Sequence, residues 1–168
     1  MNVILIGLPT SGKSTAGVIL AKLLGMQFTD TDLLIQQKAG KRLNEIIDAE
    51  GTEGFLRIEE SVCLSIDADH TVIATGGSVV FSEAAMAHLK ASGKAVYLQI
   101  SLAELTKRLL DAKERGVILR DGESTAELYA EREALYARYA DVIVSEEGLS
   151  LEETVHAVRK RIQLADQP

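Results

Sequence analysis

A three-layer α/β fold, with a five-stranded parallel sheet covered by helices on both faces, is the architecture predicted by this 168-residue sequence. Five short apolar runs rich in β-branched residues recur along it, at residues 3–6, 27–30, 71–74, 95–99 and 141–144. Segments of helical periodicity lie between them, and such an alternation marks a parallel sheet buried on both sides. The composition, 46% apolar and 26% charged, is that of a packed globule of one domain spanning residues 1–168. Aromatics are only 4%, so the core is expected to consist of Leu, Ile, Val and Ala.

Each element has its own justification. The run at 3–6 enters a glycine-rich loop from which an amphipathic helix leaves at 14–24. The second strand ends in Asp30-Thr31-Asp32. The helical stretch at about 32–67 is longer than a simple crossover requires and is expected to form a small substrate-binding lobe. The third strand runs into Thr75-Gly76-Gly77-Ser78. Three helix starts carry a hydroxyl three residues before a glutamate, Ser101 with Glu104, Ser124 with Glu127 and Ser150 with Glu153, as a capping box requires. The polar segment at about 111–124, with Gly116 and Gly122, is expected to be a closing lid, a solvated loop being the plainer alternative. In the last helix Leu151, Val155, Val158 and Ile162 form one core-facing stripe.

Charge and cysteine content exclude several function classes. Eighteen basic against 25 acidic residues give a net charge of −7, which argues against nucleic acid as a partner because phosphate contacts need a basic face. A pocket can still focus positive charge on a small anion. Cys63 is the only cysteine, so no internal disulfide forms and a thiolate zinc site is not expected. No apolar run reaches the ~20 residues of a membrane span, and the amino-terminal run lacks a charged leader. A cytoplasmic protein, acting as a monomer, is expected.

The chemistry begins at Gly7-Leu-Pro-Thr-Ser-Gly12-Lys13-Ser14, which matches GxxxxGK[ST] between a strand and a helix. The glycines let backbone N–H groups wrap phosphates, and the helix start adds positive partial charge. In this P-loop, Gly7, Thr10, Ser11, Gly12, Lys13, Ser14 and Thr15 are candidate ATP-binding residues. Lys13 reaches the β- and γ-phosphates, and the Ser14 hydroxyl can ligate Mg²⁺. No NKxD-type base-reading element of GTPase switches is present. A chain this short, with an expected lid, favours a small-molecule kinase.

On the acceptor side, Asp30 and Asp32 close the second strand, where ligands bind in such sheets. One residue apart in an extended chain, they point to opposite sides, so one could serve Mg²⁺ and the other act as base on the acceptor hydroxyl. The plainer alternative is an N-cap Asp beginning the next helix, with Asp30 a solvated strand end. Gly76 and Gly77 offer bare backbone to a ligand, although a tight turn would also explain them.

Taken together, GLPTSGKST, FTDTD, FLRIEE, ATGGS and EREALYARYAD resemble the shikimate kinase family in order and spacing, over residues 2–145. The resemblance implies that Lys13 and Ser14 serve the phosphates and Mg²⁺, with Asp30 assisting through the metal's water shell. It implies that Asp32 receives or orients the acceptor proton and that Gly77 offers an N–H to the acceptor. Arg132 is similar to the arginine that clamps the acceptor carboxylate, Arg115 to the lid arginine that closes on the transferring phosphate, and Arg108 to one near adenine.

Three positions depart from that family pattern. Leu56 stands where the family places a carboxylate-binding arginine, with Arg57 next to it and turned by about 100° on a helix. Ser78 replaces the third glycine of a triple-glycine turn, and the lid reads Arg115-Gly116-Val117-Ile118 where the family has Arg-Pro-Leu-Leu. ATP-dependent phosphorylation of a shikimate hydroxyl is the leading expectation. The alternatives are a related kinase acting on another hydroxy acid such as homoserine, and a non-catalytic nucleotide-binding regulator.

Overall fold

The computed structural model describes residues 1–111 and 124–165. Five parallel strands form one sheet: β1 (Asn2–Ile6), β2 (Gln27–Asp30), β3 (Thr71–Ala74), β4 (Gly93–Gln99) and β5 (Val142–Ser145), in the spatial order β2-β3-β1-β4-β5. The predicted strands are all present, each end within two residues of the expected one. Connections leave the central β1 in both directions, and the crevice beyond the carboxyl ends of such strands is where ligands bind.

Strand alternation divides the core into two layers. Ile4 and Ile6 of β1 pack with Ile73 and Tyr97 beneath α3 (Leu43–Leu64), α4 (Glu83–Ser92), α5 (Leu102–Asp111) and α6 (Thr125–Tyr139). Val3 and Leu5 face the other way, with Val72, Val96 and Leu98 against α1 (Lys13–Leu24) and α7 (Leu151–Ala165). Edge strand β5 alternates between buried and exposed residues, so the continuous apolar pattern belongs to the inner strands. On α7, Val155, Val158 and Ile162 are buried as expected, but Leu151, the first residue of the helix, is exposed.

The region expected to form a lobe consists of α2 (Thr31–Ala39) and α3, which share a small apolar cluster of Ile35, Ile46, Phe55 and Val62. Helix α3 is interrupted at Gly51, whose φ of 68° only glycine adopts easily. Cys63 is buried on α3 as a small hydrophobe. The capping hydroxyls at Ser124 and Ser150 exchange bonds with Glu127 and Glu153. Ser101 accepts from the Glu104 N–H, while the Glu104 carboxylate receives Arg108 Nε at 2.6 Å. The expected lid core, residues 112–123 with Arg115, lies outside the described residues. Asp111 itself ends α5 and Ser124 caps α6.

Candidate active site

Strand β1 delivers the chain into the P-loop, and two glycines there are sterically required. A Cβ on Gly7, at φ 151°, would approach the Leu98 carbonyl to 2.7 Å, and Gly12 caps α1 at φ 79°. Thr10 adopts φ 67° without being glycine, and its buried Oγ1 has no hydrogen-bond partner among the described residues. A β-branched residue in that conformation is strained, and such strain gathers at ligand-binding loops.

Lys13 is 7% exposed, and its Nζ donates to the carbonyls of Gly7 and Leu8 at 2.8 Å and to Ser11 Oγ at 3.3 Å. Burial lowers its pKa to about 8, against the pull of Asp32, Glu146 and Asp30. The ammonium therefore sits in the loop, held by weak neutral acceptors that a phosphate can displace. Ser14 and Thr15 are exposed on the first turn of α1. Arg108 on α5 donates from Nη1 to the Thr10 carbonyl at 2.9 Å and to Glu146 Oε2 at 3.1 Å. It thereby ties the P-loop to the segment after β5.

The acceptor side differs from the extended geometry expected for the two aspartates. The chain turns into α2 at Thr31, so Asp30 is the N-cap: its Oδ1 accepts from the N–H groups of Asp32 at 2.9 Å and Leu33 at 3.3 Å. Asp32 lies on the first helical turn instead of on an extended strand. Burial, reinforced by the charge of Asp30 and opposed by Lys13, raises the Asp32 pKa to about 6. A carboxylate in that range is poised to accept a proton near neutrality.

The double-glycine turn seals the cup. The Gly76 N–H is taken by Thr31 Oγ1 at 3.0 Å, so Gly76 contributes a bare Cα. Tyr136 donates to the Gly77 carbonyl at 2.5 Å, and a Cβ on Gly77 would meet Pro9 of the P-loop at 2.9 Å. Phosphate and acceptor loops are therefore in contact. Arg132, 3% exposed on α6, lies 5.3 Å over the Phe81 ring, and its charge reaches both Lys13 and Glu59. Arg57 is not brought to this cluster. Its side chain is 74% exposed, 4.0 Å from Glu53, and lines a groove of about 350 Å³ with Lys38, Glu50 and Ser61 between α2 and α3. The one-residue offset from Leu56 turns it off the buried face.

One residue escaped the sequence reading. Glu59, inside the FLRIEE stretch, is buried at the centre of the cup and accepts from Ser78 Oγ at 2.6 Å. Burial pushes its carboxyl up to about 7, with Ser78, Arg132 and Lys13 lowering it and Asp32 raising it. Its signal lay in spacing: Phe55, Glu59 and Val62 fall on one helical face, among apolar residues.

The donor set suits a magnesium ion. Among the described residues no three His, Cys, Asp or Glu side chains gather into a cage, and none of their helices is long and apolar enough to cross a membrane. Mg²⁺ at nucleotide sites takes one or two protein oxygens and relies on phosphates and water for the rest. Ser14 and the Asp30 carboxylate offer such a set.

Comparison with known proteins agrees with this geometry. The family model described as shikimate kinase matches residues 9–163. A shikimate kinase of Francisella tularensis subsp. novicida (strain U112) is 36% identical over 161 residues, covering 94% of this chain and 92% of that protein. The shikimate kinase from Aquifex aeolicus superposes with a TM-score of 0.84 at 30% identity, covering 97% of this chain and 96% of that one. The Acinetobacter baumannii shikimate kinase in complex with shikimate gives a TM-score of 0.88 at 27% identity, covering 99% of this chain and 95% of its own. With the P-loop, the acidic strand end, the glycine turn and the buried arginine in one cleft, the chain belongs to the shikimate kinase family and is a small-molecule kinase.

Proposed function

We propose that this enzyme transfers the γ-phosphoryl group of ATP to the 3-hydroxyl of shikimate. The observation that carries the reading is the position of Asp32, a carboxylate raised towards neutrality by burial, between the P-loop lysine and the glycine turn. Lys13 leaves its carbonyl partners to neutralise the β- and γ-phosphates, while Gly7, Thr10, Ser11, Gly12 and Thr15 shape the cradle and Arg108 braces it. Asp32 takes the hydroxyl proton, the Gly77 N–H orients the acceptor, and Arg132 holds its carboxylate alone, since Leu56 supplies no second guanidinium. Mg²⁺ would be held by Ser14 and, through water, by Asp30, and would supply positive charge to offset that of the phosphates. Arg115 is assigned to the transferring phosphate, and the segment at about 111–124 to a lid that excludes water, on the family resemblance.

The contact between Gly77 and Pro9 supports direct transfer, because it brings the acceptor cup against the phosphate loop. A cytoplasmic monomer is the proposed setting, which sedimentation of the purified chain tests. Acceptor identity is tested by ADP release with shikimate, homoserine and gluconate, on wild type and Leu56→Arg. Turnover of shikimate, with a lower KM in Leu56→Arg, is expected. Turnover of homoserine without shikimate would overthrow the acceptor assignment.

A further inference from the structure

The turn inside the P-loop holds one residue in a conformation that its own side chain does not explain. The Ser11 N–H closes a four-residue turn onto the Leu8 carbonyl at 3.2 Å, with Pro9 second and Thr10 third. Thr10 sits at φ 67°, the left-handed conformation for which the third position of such a turn favours glycine. A β-branched residue is sterically penalised there and stays only when its surroundings hold it. The side chain is not the tie, because its buried Oγ1 has no hydrogen-bond partner among the described residues. The bond that does reach Thr10 comes from Arg108, 98 residues away, whose Nη1 donates to the Thr10 carbonyl at 2.9 Å. That guanidinium is fixed from two sides. Its Nε donates to Glu104 Oε1 at 2.6 Å, and Nη1 donates also to Oε2 of Glu146, whose side chain is only 9% exposed, at 3.1 Å. Glu146 is anchored in turn, its N–H on the carbonyl of Gln99 at the end of β4, at 2.9 Å. A chain of bonds therefore runs from the sheet through Glu146 and Arg108 to the strained turn.

We propose that Glu146 and Arg108 form a latch that keeps Thr10 in its left-handed conformation and so presets the phosphate loop for the nucleotide. Glu146 is the positioning residue and acts through Arg108. The inference rests on the ATP reading above and adds to it a tie between the loop after β5 and the phosphate cradle. Without the latch Thr10 relaxes towards negative φ, and apparent affinity falls with the fraction of molecules whose loop is still competent. Simple electrostatics gives the opposite sign. The field of Glu146 reaches Lys13, so this carboxylate repels the triphosphate that Lys13 receives, and removing its charge alone would tighten binding.

The test measures ATP Kd by calorimetry, without acceptor, for wild type, Glu146→Ala, Thr10→Gly and the double variant. Glu146→Ala is expected to weaken ATP by about 5- to 50-fold, the range that backbone strain of this kind sets on the competent fraction. Glycine adopts the left-handed conformation freely, so the latch becomes dispensable when it stands at position 10. Adding Glu146→Ala to Thr10→Gly should therefore change Kd by less than about twofold. A merely structural ion pair, or a contact of Arg108 with the base, would cost the same in both backgrounds. Equal losses in the two backgrounds would overturn the inference, as would ATP affinity unchanged or raised in Glu146→Ala. Should Glu146→Ala lack a native melting transition, Arg108→Met takes its place in the same cycle, and the same outcomes decide. Wild type that binds no ATP would bring down the nucleotide reading itself, and the inference with it.

Discussion

Replacing Asp32 by Asn should make the ligand-free protein more stable and the enzyme much slower, by amounts that can be worked from its surroundings. Burial holds the Asp32 carboxyl at about 6 in the fold, against 3.8 for an unconstrained aspartate. An acid whose pKa is raised on folding is destabilising in its charged form. The penalty is therefore absent well below 3.8, grows as pH rises towards 6, and is complete above it. That gap corresponds to about 3 kcal/mol at pH 8 and about half as much at pH 5. Asn is close in size and carries no charge, and among the described residues the Asp32 side chain makes no hydrogen bond that it would break. Urea unfolding of wild type and Asp32→Asn at pH 5 and pH 8 measures the difference, and ADP release measures the cost in rate. The variant should be more stable at both pH values, with roughly twice the advantage at pH 8. Its kcat should fall by about 10²–10⁴, the usual contribution of a positioned base, with ATP affinity nearly unchanged. A stability gain independent of pH would refute the desolvated-carboxylate argument. A loss confined to ATP affinity would move Asp32 to the nucleotide side.

Three further outcomes follow from the same geometry. Lys13→Ala should abolish turnover while circular dichroism shows an intact fold; near-normal ADP production would remove the P-loop from the chemistry. Arg132→Lys keeps the charge but loses the planar fork, so the acceptor KM should rise by at least about tenfold while the ATP KM is unchanged. Cys63 is fully buried, and burial pushes its thiol to about 12, so Ellman's reagent should leave the native protein unlabelled and react fully in denaturant. Rapid labelling of the native state would contradict the packing of α3.

The sheet and the nucleotide half were legible because their signals are local. A strand, a GxxxxGK[ST] loop and a helix are adjacent in sequence, and the inner strands alternate between two buried layers, which leaves an unbroken apolar run. The capping serines were equally local. The acceptor half depends on contacts between residues far apart. Glu59 meets Ser78, 19 residues away, and Tyr136 meets Gly77 at a separation of 59, and neither pairing has a periodic or spacing signature. The place of Asp30 has a related cause: the sequence suggests an extended chain through Asp32, whereas the Asp30 side chain itself stops the strand by capping α2. The direction of Arg57 followed from helix geometry once α3 was in place, because the buried face runs through Phe55, Glu59 and Val62.

The most direct test of the central claim is the product itself. Phosphorus NMR of a reaction containing the enzyme, ATP, Mg²⁺ and shikimate should show one new phosphate monoester, coupled to the ring proton at carbon 3, formed in equal amount to ADP. Inorganic phosphate as the only new resonance would mean that water is the acceptor and that the cup does not direct transfer. ATP left unchanged beside shikimate, but consumed when another hydroxy acid replaces it, would contradict the assignment of shikimate as the acceptor.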